Sequence, residues 1–367
     1  MRIDSIQLFR VPLEDERSAS GARVESVFVE MRSGELVGFG EVSLAVGPSD
    51  DQEWSAGAFA CLRDWLAPAL VDQRVTSGER LQELLAPLKG NARAKSALDM
   101  AWWSLEAART RRPLYQLLRA DKNVVRLSRT IRVMDSMDPF LAEIGTALEL
   151  GYDYLTLNFR PGWDVEMLRA VRQTFPAAPI AIDCDELCTL GQMETFYRLE
   201  DFSLKYIEQP LPADDLVGHA MLQSNLRTPI CLDQSVTTLA RAEQAIELES
   251  CRRIRIDIGR VGGLTPAVAI RDVCHAAKIS CAVGGGPQSE VAAIAAASLA
   301  VSCDSPLASD ACALRARPWL RSDFTTLISC GGDGARVIRL PSDTPGWESL
   351  LDIEMLGSKA RERARVG

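Results

Sequence analysis

Four short apolar runs, each closed by a carboxylate, recur through the middle of this chain at nearly constant spacing. They read IAID at Asp183, KYIE at Glu208, ICLD at Asp233 and RIRID at Asp257, in steps of 25, 25 and 24 residues. One strand, a loop and a returning helix take about that length, as a βαβ unit requires. The acids therefore fall near the C-terminal ends of successive parallel strands, where barrels and open α/β sheets place their chemistry.

The rhythm extends both ways. DYLTLN ends at Asn158, with RLSRTIRV one unit earlier; ISCAVGGG and LAVSCD, ending at Asp304, continue it downstream. Stretches between the strands, such as VEMLRAVRQTF, carry apolar residues at helical spacing. Seven or eight such units predict a (β/α) barrel. An open doubly wound sheet is the alternative, but no glycine-rich phosphate fingerprint follows the first strand, and GRVGGL does not match one. Residues 1–123 read as a small antiparallel meander followed by helices, 124–325 as the barrel, and 326–367 as a segment returning to the first domain.

The formal charge of −9 disfavours nucleic acid and anionic membrane surfaces as partners. No apolar run is long enough to span a bilayer, and the N-terminus lacks a signal-peptide layout. Ten cysteines without CxxC pairs predict a reduced, cytoplasmic protein. Cys184, Cys231, Cys281 and Cys303 fall in predicted strands, as small buried hydrophobes.

Carboxylates on neighbouring strand ends repel by roughly 4 kcal/mol per pair at about 4 Å and an effective dielectric near 20. A hard cation such as Mg²⁺ relieves that, or protons do, or arginine and lysine on facing loops.

PGWD (161–164), IEQPLPADDL (207–216), TPICLDQS (228–235) and GRVGGL (259–264) resemble the enolase superfamily, within it the o-succinylbenzoate synthase and N-acylamino acid racemase branch. ALDMAWWSLEAARTRRPLYQLL is similar to that family's helix linking cap to barrel. The resemblance implies a modified TIM (β/α) barrel with an α+β capping domain. It implies Mg²⁺ on Asp183, Glu208 and Asp233, a small carboxylate ligand, lyase or isomerase chemistry through a metal-stabilised enolate, and a homo-oligomer.

The chain departs from that pattern where protons move. The family's three lysines fall here on Thr156, Asn158 and Asp257, and none of the six lysines of this sequence lies at a predicted strand C-terminus. His219 and His275 lie in predicted helices outside the barrel. Asp257 is then the one ionisable group at a former lysine position, either a general base or the partner of Arg255 on the same strand face. Gln234 and Gln288 stand where the branch carries glutamates, and Asp185 where it carries asparagine. Thr156, Asn158 and Gln288 are the expected substrate contacts; Arg23, in the cap loop EDERSASGAR, is either a further contact or a solvated side chain. Two functions follow: an enzyme with rebuilt acid/base groups, or a silent homologue that binds metal and ligand without turnover.

Overall fold

A computed structural model gives the fold over all residues but 18–20, 161, 162, 164, 286–288, 304–306, 309–316, 322–326 and 343–350; side chains of 15–17 and 307–308 are also left out. Gln288 therefore lies outside the described residues, as do three of the four residues of PGWD.

Strands β1 (Ser5–Arg17), β2 (Arg23–Ser33) and β3 (Leu36–Ala45) form the antiparallel meander of the cap. The helix Ala92–Thr110 lies on it, burying Ala94, Ala97, Leu98, Ala101, Trp102 and Leu105 at helical spacing. Small residues on both elements allow close packing: a side chain at Gly38 or Gly40 of β3 would collide with the Ala101 or Ala97 carbonyl oxygen. Glu53 accepts the Arg93 and Ala94 amides at 2.8 and 3.0 Å, satisfying the first turn of the helix. The continuous helix suggested by ALDMAWWSLEAARTRRPLYQLL is broken in two, because Arg111 turns left-handed (φ 53°) just before Pro113.

The barrel opens with β4 (Val124–Leu127) and β5 (Arg129–Ile131), one strand interrupted at Ser128. Then follow β6 (Leu155–Asn158), β7 (Ile180–Asp183), β8 (Ile207–Glu208), β9 (Ile230–Leu232), β10 (Arg253–Asp257), β11 (Ser280–Gly284) and β12 (Leu307–Ala308). Every neighbouring pair from β5 to β12 is parallel, and β12 pairs in parallel with β4, which closes the ring. The eighth strand lies later than LAVSCD suggests. The apolar run is the buried helix Glu290–Ala300, and Cys303 sits in the turn after it. The tail divides between the domains. Strands β13 (Ile328–Cys330) and β14 (Arg336–Arg339) form a hairpin on β4, while the helix Ile353–Lys359 and β15 (Glu362–Val366) return to the cap, both beside β1.

Cap and barrel meet at GRVGGL. The helix Ile258–Val261 ends on Gly262 (φ 93°), and Gly263 (φ 131°) presses against the Asp99 side chain, where a Cβ has no room. Asp99, buried in the long helix, accepts the Thr265 amide at 2.9 Å and the Gln82 amide group at 2.8 Å. A second cap carboxylate, Glu41, accepts the Ser289 amide at 2.8 Å at the start of the helix Glu290–Ala300.

Burial raises the Asp99 carboxyl to about 6, against the pull of its hydrogen bonds from Thr265, Gln82 and Leu264. Its folded state binds a proton more tightly than the unfolded chain, so this contribution to stability is present below about pH 4 and lost as pH rises through about 6. Relative to Asp99→Asn, the wild type should therefore lose up to about 3 kcal/mol between those pH values. Parallel urea curves for both proteins at pH 4 and pH 7 measure it; an unchanged difference would show that Asp99 keeps its ordinary proton affinity.

Candidate functional site

Register places the acids. Asn158 stands opposite Asp183, and Asp183 opposite Glu208, on three adjacent strand ends. Asp233 follows β9 by one residue, its amide fixed by Gln209 Oε1 at 3.0 Å. Asp257 closes β10 and caps the next helix, accepting the Gly259 and Arg260 amides at 2.9 and 3.3 Å. The four carboxylates thus share one rim of the barrel.

Arginines meet three of them. Arg255 Nη1 donates to Glu208 Oε1 at 2.6 Å, with Glu208 only 1 % exposed. Arg260 Nη1 donates to Asp233 Oδ1. Arg93, from the start of the cap helix, reaches Asp257 at 3.1 Å and Asp51 at 2.5 Å. Asp183 has no ion-pair partner among the described residues; it accepts the Asp185 amide at 3.0 Å and the Asn158 side-chain amide at 3.4 Å.

The expected Arg255–Asp257 pair does not form. Asp257, as the cap of its helix, turns toward Arg93 and Arg260, while Arg255 crosses the barrel interior to Glu208. Electrostatics follow this wiring. Burial lifts Asp257, but Arg93 and Arg260 outweigh it and hold the carboxyl at about 2. Asp183 moves the other way: burial and the Glu208 charge push it well above the ordinary carboxylate range. Burial also raises Glu208, against the opposing charge of Arg255.

Below the rim the interior is polar. The Thr156 and Tyr206 hydroxyls are 2.9 Å apart, Tyr206 meets Tyr154 at 3.3 Å, and the Arg253 guanidinium lies 5.0 Å over the Tyr206 ring. Thr156 is thereby buried and engaged inside the barrel rather than open at its mouth. Asn158 sits one layer higher, half-buried beside Asp183. Arg23 is exposed at the start of β2. His219 is fully buried; its Nδ1 faces the Asp215 carbonyl at 2.6 Å, its Nε2 accepts the Leu211 amide at 3.3 Å, and burial lowers its proton affinity. It braces the IEQPL turn.

The donor set has the chemistry of a hard-cation site. Its oxygens are carboxylates, and Glu208 Oε2 is buried without a hydrogen-bond partner among the described residues. Yet Glu208 and Asp233 are turned to arginines, and among the described residues no three His, Cys, Asp or Glu side chains stand grouped to hold a metal.

Residues 140–346 match the family described as Enolase C-terminal domain-like, and residues 12–119 match the mandelate racemase/muconate lactonizing enzyme N-terminal domain. The chain is 35 % identical over 290 residues to the N-succinylamino acid racemase of Thermus thermophilus, covering 78 % of this chain and 79 % of that one. It is 37 % identical over 254 residues to the o-succinylbenzoate synthase of Geobacillus stearothermophilus, covering 69 % and 68 %. The chain belongs to the enolase superfamily, in the o-succinylbenzoate synthase and N-acylamino acid racemase branch. A probable mandelate racemase from Alicyclobacillus acidocaldarius superposes with a TM-score of 0.87 at 26 % identity, over 99 % of this chain and 97 % of that one. A dipeptide epimerase from Cytophaga hutchinsonii, solved with Mg and a dipeptide, shares the fold at a TM-score of 0.85 and 20 % identity, over 100 % of each chain.

Within this enolase-superfamily barrel, sequence reasoning missed Arg93 and the partners of Arg255 and Arg260. Arg260 stood in view inside GRVGGL. Nothing local marks Arg93, which lies 164 residues from the acid it holds. No described helix is long and apolar enough to cross a membrane.

Removing the Asp257 charge leaves Arg93 with Asp51 and Arg260 with Asp233 as their remaining acids. Asp257→Asn should cost on the order of 3 kcal/mol, since each guanidinium loses the more buried of its two counter-charges. Urea unfolding at pH 7 measures it, and a loss below about 1 kcal/mol, the scale of an exposed pair, would show that solvent already screens Arg93 and Arg260.

Proposed function

We propose that this chain is a divergent magnesium-binding member of its branch. It takes a small carboxylate at the barrel mouth through Asp183, Glu208 and Asp233, and does not carry out the proton transfer of a racemase. The observation that supports this most directly is the state of Asp257. It stands where the resemblance places a lysine, yet it is held ionised between Arg93 and Arg260. A group held at about 2 binds a proton too weakly to act as a general base near neutral pH.

Thr156 and Asn158, on the opposite side of the site, offer no substitute. Thr156 spends its hydroxyl on Tyr206, and Asn158 spends its amide on Asp183. Neither side chain takes up a proton near pH 7. Inverting an α-carbon requires a proton acceptor on one face and a donor on the other, and these three positions supply neither. When bound, the ion supplies positive charge to a substrate carboxylate. The chain's own residues position that carboxylate: Asn158 steadies Asp183, Gln209 fixes the Asp233 backbone, and Gln234 holds Asp185 at 2.8 Å.

The ligands to test are N-succinyl amino acids, the substrate class named for the Thermus thermophilus relative. Proton NMR in D₂O with Mg²⁺ should show the α-proton signal of N-succinyl amino acids retained over long incubation. The same ligands at saturation should still raise the melting temperature. Loss of the α-proton signal would overturn the proposal, and its persistence in Asp257→Asn would identify Asp257 as the base after all.

A further inference from the structure

Glu208 has two claims on its carboxylate. Oε1 receives Arg255 Nη1 at 2.6 Å, while Oε2 is buried with no partner among the described residues. The guanidinium is seated, not incidental. Arg255 lies on the inward face of β10, and Gly284 at the end of β11 leaves the space it fills, since a side chain there would collide with Arg255 Nε. Arg260 makes the matching contact on Asp233. Two of the three proposed ligands are thus already neutralised by the protein's own cations.

A divalent ion drawing on all three carboxylates must enter beside a guanidinium that holds one of them. It can use Oε2 of Glu208 freely, but like charges a few ångströms apart repel strongly where water is excluded. Building on the magnesium reading above, we infer that Arg255 is an internal competitor of the divalent ion: it satisfies Glu208 in the ion's place, keeps the site folded without metal, and weakens metal binding.

Calorimetric titration with Mg²⁺ and Mn²⁺ tests this on the wild type, Arg255→Gln and Arg255→Lys, together with melting in EDTA and in Mg²⁺. Arg255→Gln should bind the ion at least about tenfold more tightly than the wild type, a change of about 1.4 kcal/mol. Arg255→Lys, which keeps a charge beside Glu208, should show no such gain. The wild type should melt alike in EDTA and in low Mg²⁺, whereas Arg255→Gln should melt lower in EDTA and recover with the ion. Equal affinity in wild type and Arg255→Gln would overturn the inference and leave the magnesium reading standing. Binding by neither protein, both folded, would overturn the magnesium reading and the inference with it. If Arg255→Gln cannot be purified without metal, refolding in Mg²⁺ decides: rescue supports the competitor role, and failure of rescue counts against it.

Discussion

Parallel strands in register bring Asp183, Glu208, Asp233 and Asp257 to one rim, and four buried or half-buried carboxylates cannot share it uncompensated. The protein answers with an alternating series of charges: Asp51, Arg93, Asp257, Arg260, Asp233, with Arg255 and Glu208 beside it. Asp51 and Arg93 belong to the cap and the others to the barrel, so the electrostatics of the rim also tie the two domains together. The contacts of Asp99 and Glu41 with the barrel reinforce that seating from other sides.

The same logic reaches downward along β10. Positions 253, 255 and 257 alternate onto one face and carry Arg, Arg and Asp. Arg253 is absorbed by Tyr154, Tyr206 and Ser280, Arg255 by Glu208, and Asp257 by the cap. A barrel strand of this kind cannot be packed by aliphatic layers alone. The Tyr154–Tyr206–Thr156 cluster is what receives its lowest charge, and it consumes the Thr156 hydroxyl in doing so.

The fold was legible because strand, loop and helix impose a fixed length, and the acid at each strand end marks the phase. The eighth strand escaped because Leu299–Cys303 is as apolar as a strand but forms the end of the helix and the turn after it. The seating of β13 and β14 on β4 was not legible, since ISC and RVIR are too short to select one sheet over the other. At the site, the positions of the acids could be read but their partners could not. Arg255 has Glu208 and Asp257 both within the reach of its long side chain, and the choice is made by Asp257's role as a helix cap. Arg93 enters from another domain, where no periodicity in the sequence points to the contact.

On the reading proposed above, Asp257 stands in place of a lysine; such an exchange inverts one charge, and in a buried site an inversion propagates. At position 257 the carboxylate requires cations, and Arg93 and Arg260 supply them from two directions. Those two arginines now make the spot hostile to an ammonium group, which would meet two guanidinium groups with no acid between them. The proposed departure from the family is therefore distributed over the cap helix, the GRVGGL turn and β10, and the ion pairs that stabilise it also hold the domains together. Reversing it takes coordinated changes at 93, 257 and 260, because Asp257 is the acid that Arg93 and Arg260 share.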